Sequence, residues 1–381
     1  MKDFDVFTEV FNKTKKELES MEKANILIVG RTGVGKSTLI NSVFREELAE
    51  TGVGRPVTQH LKKISKEGVP INLYDTKGLE LEEKVQEEIK NEILDEIDRC
   101  NAACIANNDK NELIHVCWYC LDTPTSRCEE TDIEWINDIG AKIPVIVVIT
   151  KGFPKKDAKT FKKKIEELNL DCRGIVPVLA QPYEEIDEDD EDDILIIPSY
   201  GLDKLVELTY QILPEGVKRG FNNAQKINIE QKVKEARTWM LGYITGCGAI
   251  GLSPIPFSDA PLLASAQLGM IAHITTIFGL PLDKALLTSI ISAIAGISGA
   301  TLTGKALVSN LLKFIPGIGS VAGGAISASV AAAVTTALGL AYINVLKYIL
   351  EEEAKGVEVT NDAIVEKMKS EFKKEIKLST N

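Results

Sequence analysis

The stretch Gly30-Arg-Thr-Gly-Val-Gly35-Lys36-Ser37 constrains this chain more than any other. It follows an apolar run, Asn25–Val29, and opens a helical pattern over Gly35–Phe44. The spacing G-x-x-x-x-G-K-[ST], set between a buried strand and a helix, is that of a phosphate-binding loop. Main-chain N–H groups converge there, and the helix dipole adds partial positive charge at the same point. Gly30, Gly33, Val34, Gly35, Lys36, Ser37 and Thr38 are therefore read as nucleotide contacts. Lys36 would reach the β- and γ-phosphates and Ser37 would ligate magnesium.

Strand and helix patterns alternate onward from that loop. Val69–Tyr74, Leu113–Leu121, Ile143–Thr150 and Ile175–Ala180 read as strands. Leu81–Ile97, Asp157–Leu168 and Leu202–Leu213 read as helices. Such alternation predicts a mainly parallel sheet covered on both faces. The second strand runs into Asp75-Thr-Lys-Gly78-Leu79, a carboxylate at a strand end with glycine three residues later. That pairing suits magnesium at Asp75 and a γ-phosphate contact from the Gly78 amide. Between loop and strand, the Gly/Pro-rich segment Thr51–His60 reads as a mobile switch. In it, Thr58 offers a hydroxyl to magnesium, and Gln59 is a candidate for orienting the attacking water.

Together these motifs resemble the translation-factor-related GTPases, in their Era-like and dynamin-like branches, and the immunity-related GTPases with their bacterial relatives. The resemblance covers about residues 22–215. It implies a guanine nucleotide with magnesium, and hydrolysis of GTP to GDP and phosphate. It also implies guanine recognition beginning at Thr150-Lys151, with a last base contact at Leu179-Ala180. The family pattern Asn/Thr-Lys-x-Asp is broken here, because position 153 is Phe. The carboxylate that would accept from guanine N1 and N2 is missing, and Asp157 is a distant substitute. Leu79 stands where small signalling GTPases carry a water-orienting glutamine. Lys36, Thr58, Gln59 and Gly78 are accordingly the catalytic candidates.

Composition narrows the partners. The formal net charge is −12, with no compact Lys/Arg cluster to offset it, so nucleic acid is not an expected partner. Seven scattered cysteines suggest a reducing, cytoplasmic setting. The charged first twenty residues do not read as a secretory signal. Cys117-Trp-Tyr-Cys120 invites a zinc reading, but on a strand those two side chains point to opposite faces. Glu184–Asp193 reads as a solvated acidic loop.

Beyond Pro214 the alternation stops. Gly220–Met240 reads as a polar connecting helix. Leu262–Phe278, Ala285–Ile297, Thr303–Phe314, Ala325–Leu350 and Asp362–Leu378 are the helices predicted after it. Ala285–Gly304 and Phe314–Leu346 contain no Asp, Glu, Lys or Arg. Residues 220–350 resemble a bacterial domain often fused to such GTPases. Their small, apolar composition leaves open a bundle with membrane affinity, a soluble bundle, or spanning helices. Residues 4–22 form an amphipathic helix whose apolar stripe, Phe4, Phe7, Val10, Phe11, Leu18 and Met21, is expected to pack with the C-terminal helices.

The expected architecture is thus an α/β P-loop GTPase domain (23–215) with a mainly parallel sheet, preceded by the amphipathic helix (1–22) and followed by an all-α domain (216–381). GTP hydrolysis would switch how the helical domain meets the inner face of a membrane or a second copy, as a dimer or larger oligomer. The competing class is a nucleotide-binding structural or membrane-interaction protein with little turnover.

Overall fold

A computed structural model describes residues 6–44, 48, 53–76, 83–107, 112–186, 194–250, 255–256, 260–280, 290, 311, 325–326 and 328–380. The chain divides into two compact units, one made of Met1–Ser20 with Ile229–Asn381, the other of Met21–Asn228. The first element, α1 (Val6–Glu19), belongs to the former.

The Met21–Asn228 unit is built on a seven-stranded sheet in the order β2-β3-β4-β1-β5-β6-β7. Its strands are β1 (Ala24–Gly30), β2 (Val53–Pro56), β3 (Leu61–Ser65), β4 (Ile71–Thr76), β5 (Val116–Asp122), β6 (Val145–Thr150) and β7 (Gly174–Pro177). Strands β4, β1, β5, β6 and β7 pair in parallel, whereas β2 and β3 extend the sheet antiparallel. Strand β1 lies in the middle and every one of its residues is buried. A strand covered on both faces must be apolar on both, which is why the run reads as continuous rather than alternating.

The pleat sorts these residues between two cores. Ile26, Ile28, Trp118 and Val148 face α2 (Lys36–Val43), α6 (Leu202–Ile212) and α7 (Glu215–Ala224), meeting Ile40, Leu205 and Phe221. Leu27, Val29, Tyr119 and Val147 face α3 (Glu83–Asn107), α4 (Glu130–Gly140) and α5 (Lys155–Glu167), meeting Ile93, Ile136 and Phe161. Cys117 belongs to the second core and Cys120 to the first, on opposite faces of the sheet.

Three sequence readings change. The segment expected to be a mobile switch contains β2, paired antiparallel with β3. The acidic run begins as a strand: β8 (Tyr183–Ile186) pairs with β9 (Ile194–Ile197), whose apolar residues favour the ladder, and only 187–193 lie outside the described residues. The connecting helix is two helices, α7 and α8 (Ile229–Ile250), because Gln225 breaks it. Its side-chain oxygen accepts from the N–H groups of Ile227 (2.8 Å) and Asn228 (2.7 Å), offering the backbone an alternative to helical pairing. Lys226 then ties the break back to α2, donating from its main chain to Val43 O and from Nζ to Asn41 O.

The other unit collects α1, α8, α9 (Ala260–Phe278), α10 (Ala328–Ala354) and α11 (Asn361–Thr380). Its core joins Val10 to Met240, Ile271, Phe278, Tyr342, Leu346 and Phe372. Lys13 holds α1 to α9 by donating to Ser265 O (2.8 Å) and Oγ (2.9 Å). Lys232 is fully buried and donates to Ile277 O at 3.0 Å, where a cation complements the carbonyl end of α9. Among the described residues one helical segment, Ser329–Ala354, is long and apolar enough to cross a membrane, and 61% of its most apolar window is buried inside the protein. The helices expected at Ala285–Ile297 and Thr303–Phe314 fall almost wholly outside the described residues.

Candidate nucleotide site

The phosphate loop leaves β1 at Gly30 and enters α2 through Gly35, whose φ of 98° is open to glycine and strained for other residues. Gly30 passes so close to β5 that a Cβ there would sit 2.7 Å from Cys120 O. The first α-helical bond of α2 runs from Leu39 N–H to Gly35 O, so the amides before it have no partner within the helix. Lys36 lies over the loop, with Nζ donating to Gly30 O (2.7 Å) and Arg31 O (3.2 Å). Arg31 points away from the loop and pairs with Glu129 at 2.7 Å and Asp132 at 3.5 Å. Ser37 is exposed and Thr38 half-buried on the first turn of α2.

Asp75 sits near the end of β4, in register with Ile28 of β1. Its Oδ1 is buried without a hydrogen-bond partner. Burial pushes its carboxyl up from the ordinary range, while the charges of Lys36 and Lys62 pull it down. An unsatisfied carboxylate oxygen beside a cationic loop fits a divalent cation or its water shell. With the Ser37 hydroxyl nearby in the motif, the donor set is all oxygen, the kind magnesium takes.

The switch candidates are placed differently. Thr58 and Gln59 form the turn between β2 and β3, where the N–H groups of Val57 (2.8 Å) and Thr58 (3.2 Å) both donate to Leu61 O. The Thr58 hydroxyl donates to Glu92 of α3 and accepts from Leu61 N–H at 3.0 Å. Glu92 also meets His60 Nδ1 at 3.1 Å. Desolvation raises the Glu92 pKa, but the hydrogen bonds from Thr58 and His60 outweigh it and hold the carboxyl below its ordinary range. Gln59 is exposed. Gly78 lies outside the described residues.

On the base side, Thr150 ends β6 and its hydroxyl lies 2.6 Å from Val34 O and 3.0 Å from Leu121 O. This contact fixes the end of β6 against the phosphate loop. Lys151 follows in the left-handed region, with φ 49°. Its exposed amine stands 3.6 Å from Asp122. Beside these residues lies a cavity of about 300 Å³, lined in part by Gly35, Thr38, Thr150, Lys151 and Ala180. Five candidates drawn from separate parts of the sequence thus meet around one space. Asp157 does not join them; it is exposed on the first turn of α5. Phe153 and Tyr183 also line the cavity, their rings stacked at 4.4 Å. Nothing in the spacing around Tyr183 marks it as a cavity residue, since the strand that carries it depends on pairing with β9.

Residues 25–151 match the family model described as 50S ribosome-binding GTPase, and residues 219–370 match a domain of unknown function, DUF697. Neuronal-specific septin-3 of Danio rerio is 25% identical over 203 residues, covering 47% of this chain and 54% of that protein. Cell division control protein 11 of Saccharomyces cerevisiae is 25% identical over 205 residues, covering 47% and 49%. The chain therefore spans about half the length of the curated relatives it matches. The solved structure of Era in complex with MgGDPNP and 16S ribosomal RNA nucleotides is 23% identical, with a TM-score of 0.31, and covers 51% of this chain and 58% of that one. The chain thus couples an N-terminal segment that matches a GTPase family model, with septins among its curated relatives, to a helical segment that matches DUF697.

Proposed function

We propose that this protein binds GTP with magnesium and hydrolyses it to GDP and phosphate, and that the bound nucleotide changes how the helical unit associates with a membrane surface or a second copy. The observation that carries the nucleotide reading is the Thr150–Val34 contact, which joins the base cavity to the phosphate loop beside Lys36. The loop amides and Lys36 bind the β- and γ-phosphates, with Lys36 exchanging its carbonyl partners for phosphate oxygens. Ser37 and Asp75 hold magnesium, which when bound neutralises charge on the β- and γ-oxygens. Thr58 would offer its hydroxyl to the metal in place of Glu92, and the Gly78 amide would serve the γ-phosphate. Gln59, exposed in the same turn, orients the attacking water.

The helical part of the reading is supported by the apolar composition of Ser329–Ala354 and by the two chain connections between units, at Ser20–Met21 and Asn228–Ile229. We also propose that the bound nucleotide governs self-association, and that the protein works at the inner face of a membrane. A second reading, binding with little turnover, is favoured by the engagement of Thr58 with Glu92.

Phosphate release from GTP, measured with magnesium in the presence and absence of liposomes, separates the two. The leading reading expects turnover that rises with liposomes or with protein concentration. Binding without release supports the second. Nucleotide at a hundred times its dissociation constant stabilises the native state by about 2.7 kcal/mol, and Lys36→Ala should abolish that melting shift. An unchanged shift in the variant overturns the loop assignment.

A further inference from the structure

We infer that Phe153 and Tyr183 replace a base-reading carboxylate with an aromatic wall, so that this cavity accepts adenine as well as guanine nucleotides. The inference rests on the nucleotide reading above and concerns which bases that site admits.

Among the described residues, the cavity lining contains no Asp or Glu. Guanine differs from adenine by its N1–H and N2 amino donors and its O6 acceptor. Only a fixed acceptor in the plane of the base reads the two donors strongly. Position 153, where the motif calls for that acceptor, presents an aromatic ring stacked on Tyr183 at 4.4 Å and 23°. The ring is there by construction. Gly152 N–H donates to Val178 O at 2.9 Å, and Gly152 O accepts from the Tyr200 hydroxyl. A Cβ at Gly152 would sit 2.5 Å from that hydroxyl oxygen, so the backbone leading to Phe153 is closely confined. Tyr183 is fixed from the other side by its place opposite Ile197 in the β8–β9 ladder.

The remaining polar groups are permissive. Gln181, which also lines the cavity, carries a carboxamide that offers a donor and an acceptor and can serve either purine by turning over. The main-chain N–H of Ala180 is the group left to favour guanine O6 over the adenine amine. Base binding then comes chiefly from apolar and stacking contact, which every purine face can make. A site built to pair with substrate N–H or O–H groups rejects the analogue lacking them by about 10⁴–10⁵-fold. One neutral hydrogen bond discriminates by only about tenfold.

The test is competition of GDP, IDP and ADP against a fluorescent guanine nucleotide on the full chain, for the wild type, Phe153→Asp and Tyr183→Ala. IDP lacks the N2 amino group and so reports its recognition directly. In the wild type, IDP should match GDP closely, and GDP should lead ADP by less than about a hundredfold, far below the discrimination of a hydrogen-bonded site. Phe153→Asp should widen both gaps at least about tenfold, as a new charged acceptor gains the two donors. Tyr183→Ala should weaken GDP and ADP alike, by about fivefold or more, through lost stacking. If Phe153→Asp fails to fold, the wild-type IDP comparison and Tyr183→Ala decide alone. A wild-type preference for GDP above a hundredfold, or a Tyr183→Ala variant with unchanged affinities, overturns the inference while leaving the GTPase reading in place. Failure of every nucleotide to compete overturns both.

Discussion

In the sheet unit, the groups around the candidate site are held by contacts to main-chain atoms; in the helical unit, the core is held chiefly by side-chain packing. Thr150 meets a loop carbonyl, Lys36 meets two, and Gly30 runs against the backbone of β5. The helical core instead rests on Val10, Met240, Met270, Leu338, Tyr342 and Phe372, packed side chain on side chain. Backbone contacts tolerate little displacement, whereas methionines can re-pack around a change in volume. The two units should therefore answer similar substitutions with different costs.

The largest difference is expected from paired glycine substitutions. Gly201 precedes α6 with φ 84°, and a Cβ there would lie 2.1 Å from Pro177 O. Gly201→Ala combines left-handed strain of about 1–3 kcal/mol with a main-chain clash of similar size, about 2–5 kcal/mol in all. At Gly339 in α10 a Cβ would meet Met240 Sδ at 2.6 Å and Met270 Sδ at 3.1 Å, both on flexible side chains. Gly339→Ala also gains about 1 kcal/mol of helix propensity, leaving a net change within about 1 kcal/mol. Urea unfolding of both variants measures the gap, and equal losses would break the contrast.

Next in size is a pH effect confined to the sheet unit. His115 is buried, and its Nδ1 accepts from Asn25 N–H at 3.0 Å. Burial pushes its pKa down from 6.5 to about 4. Between those values only the unfolded chain takes up the proton, so stability is full above pH 6.5 and is lost as pH falls toward 4. The shift corresponds to about 3 kcal/mol. His115→Gln, which keeps an acceptor for Asn25, should flatten the slope of unfolding free energy across that window. A slope that persists unchanged assigns it to other groups.

The contrast also explains what could be read from the sequence. The loop, the end of β4 and the Thr150-Lys151 turn were legible because each is a local backbone device with a fixed spacing. The meeting of Gly35 and Thr38 of the loop with Thr150 and Lys151 around one cavity followed from the parallel sheet. Strands β2 and β3 were not legible: Arg55, Lys62 and Lys63 break the apolar alternation, and the pairing with β4 supplies what local propensity lacks. Tyr183 depended on pairing with β9, and the break at Gln225 on hydrogen bonds no periodicity reveals. The partners of the helical core were the least legible, since small apolar residues fit many neighbours equally well.

A smaller effect separates the two units by deletion. Val10 is fully buried in the helical core, and its burial contributes about 1.5–3 kcal/mol. We propose that removing residues 1–20 destabilises the helical unit and exposes dye-binding apolar surface, while nucleotide affinity stays within about threefold, a change under 1 kcal/mol. Glu17, 3.0 Å from His273 Nε2, is lost as well. His273 stacks on Trp239 at 4.3 Å, so the fluorescence of Trp239 should change even where global stability does not. A dye-silent, equally stable deletion would place the helical core elsewhere.

The smallest expected effect is the most informative about the site, because it touches the join between base and phosphate. Thr150 reaches Val34 O at 2.6 Å and Leu121 O at 3.0 Å with one hydroxyl proton. Thr150→Val keeps the β-branched shape that β6 requires and removes only the donor. One buried neutral hydrogen bond contributes about 1 kcal/mol, or about fivefold in an equilibrium constant. If the contact holds the loop in its binding shape, the loss should fall on nucleotide affinity, and about equally on GDP and ADP, since Val34 O belongs to the phosphate side. If it serves only the packing of β6, the loss should fall on unfolding free energy in the absence of nucleotide, with affinity unchanged. Measuring both on the same variant divides the single hydrogen bond between the two roles. A purely structural loss would mean that the cavity and the loop are neighbours without being coupled.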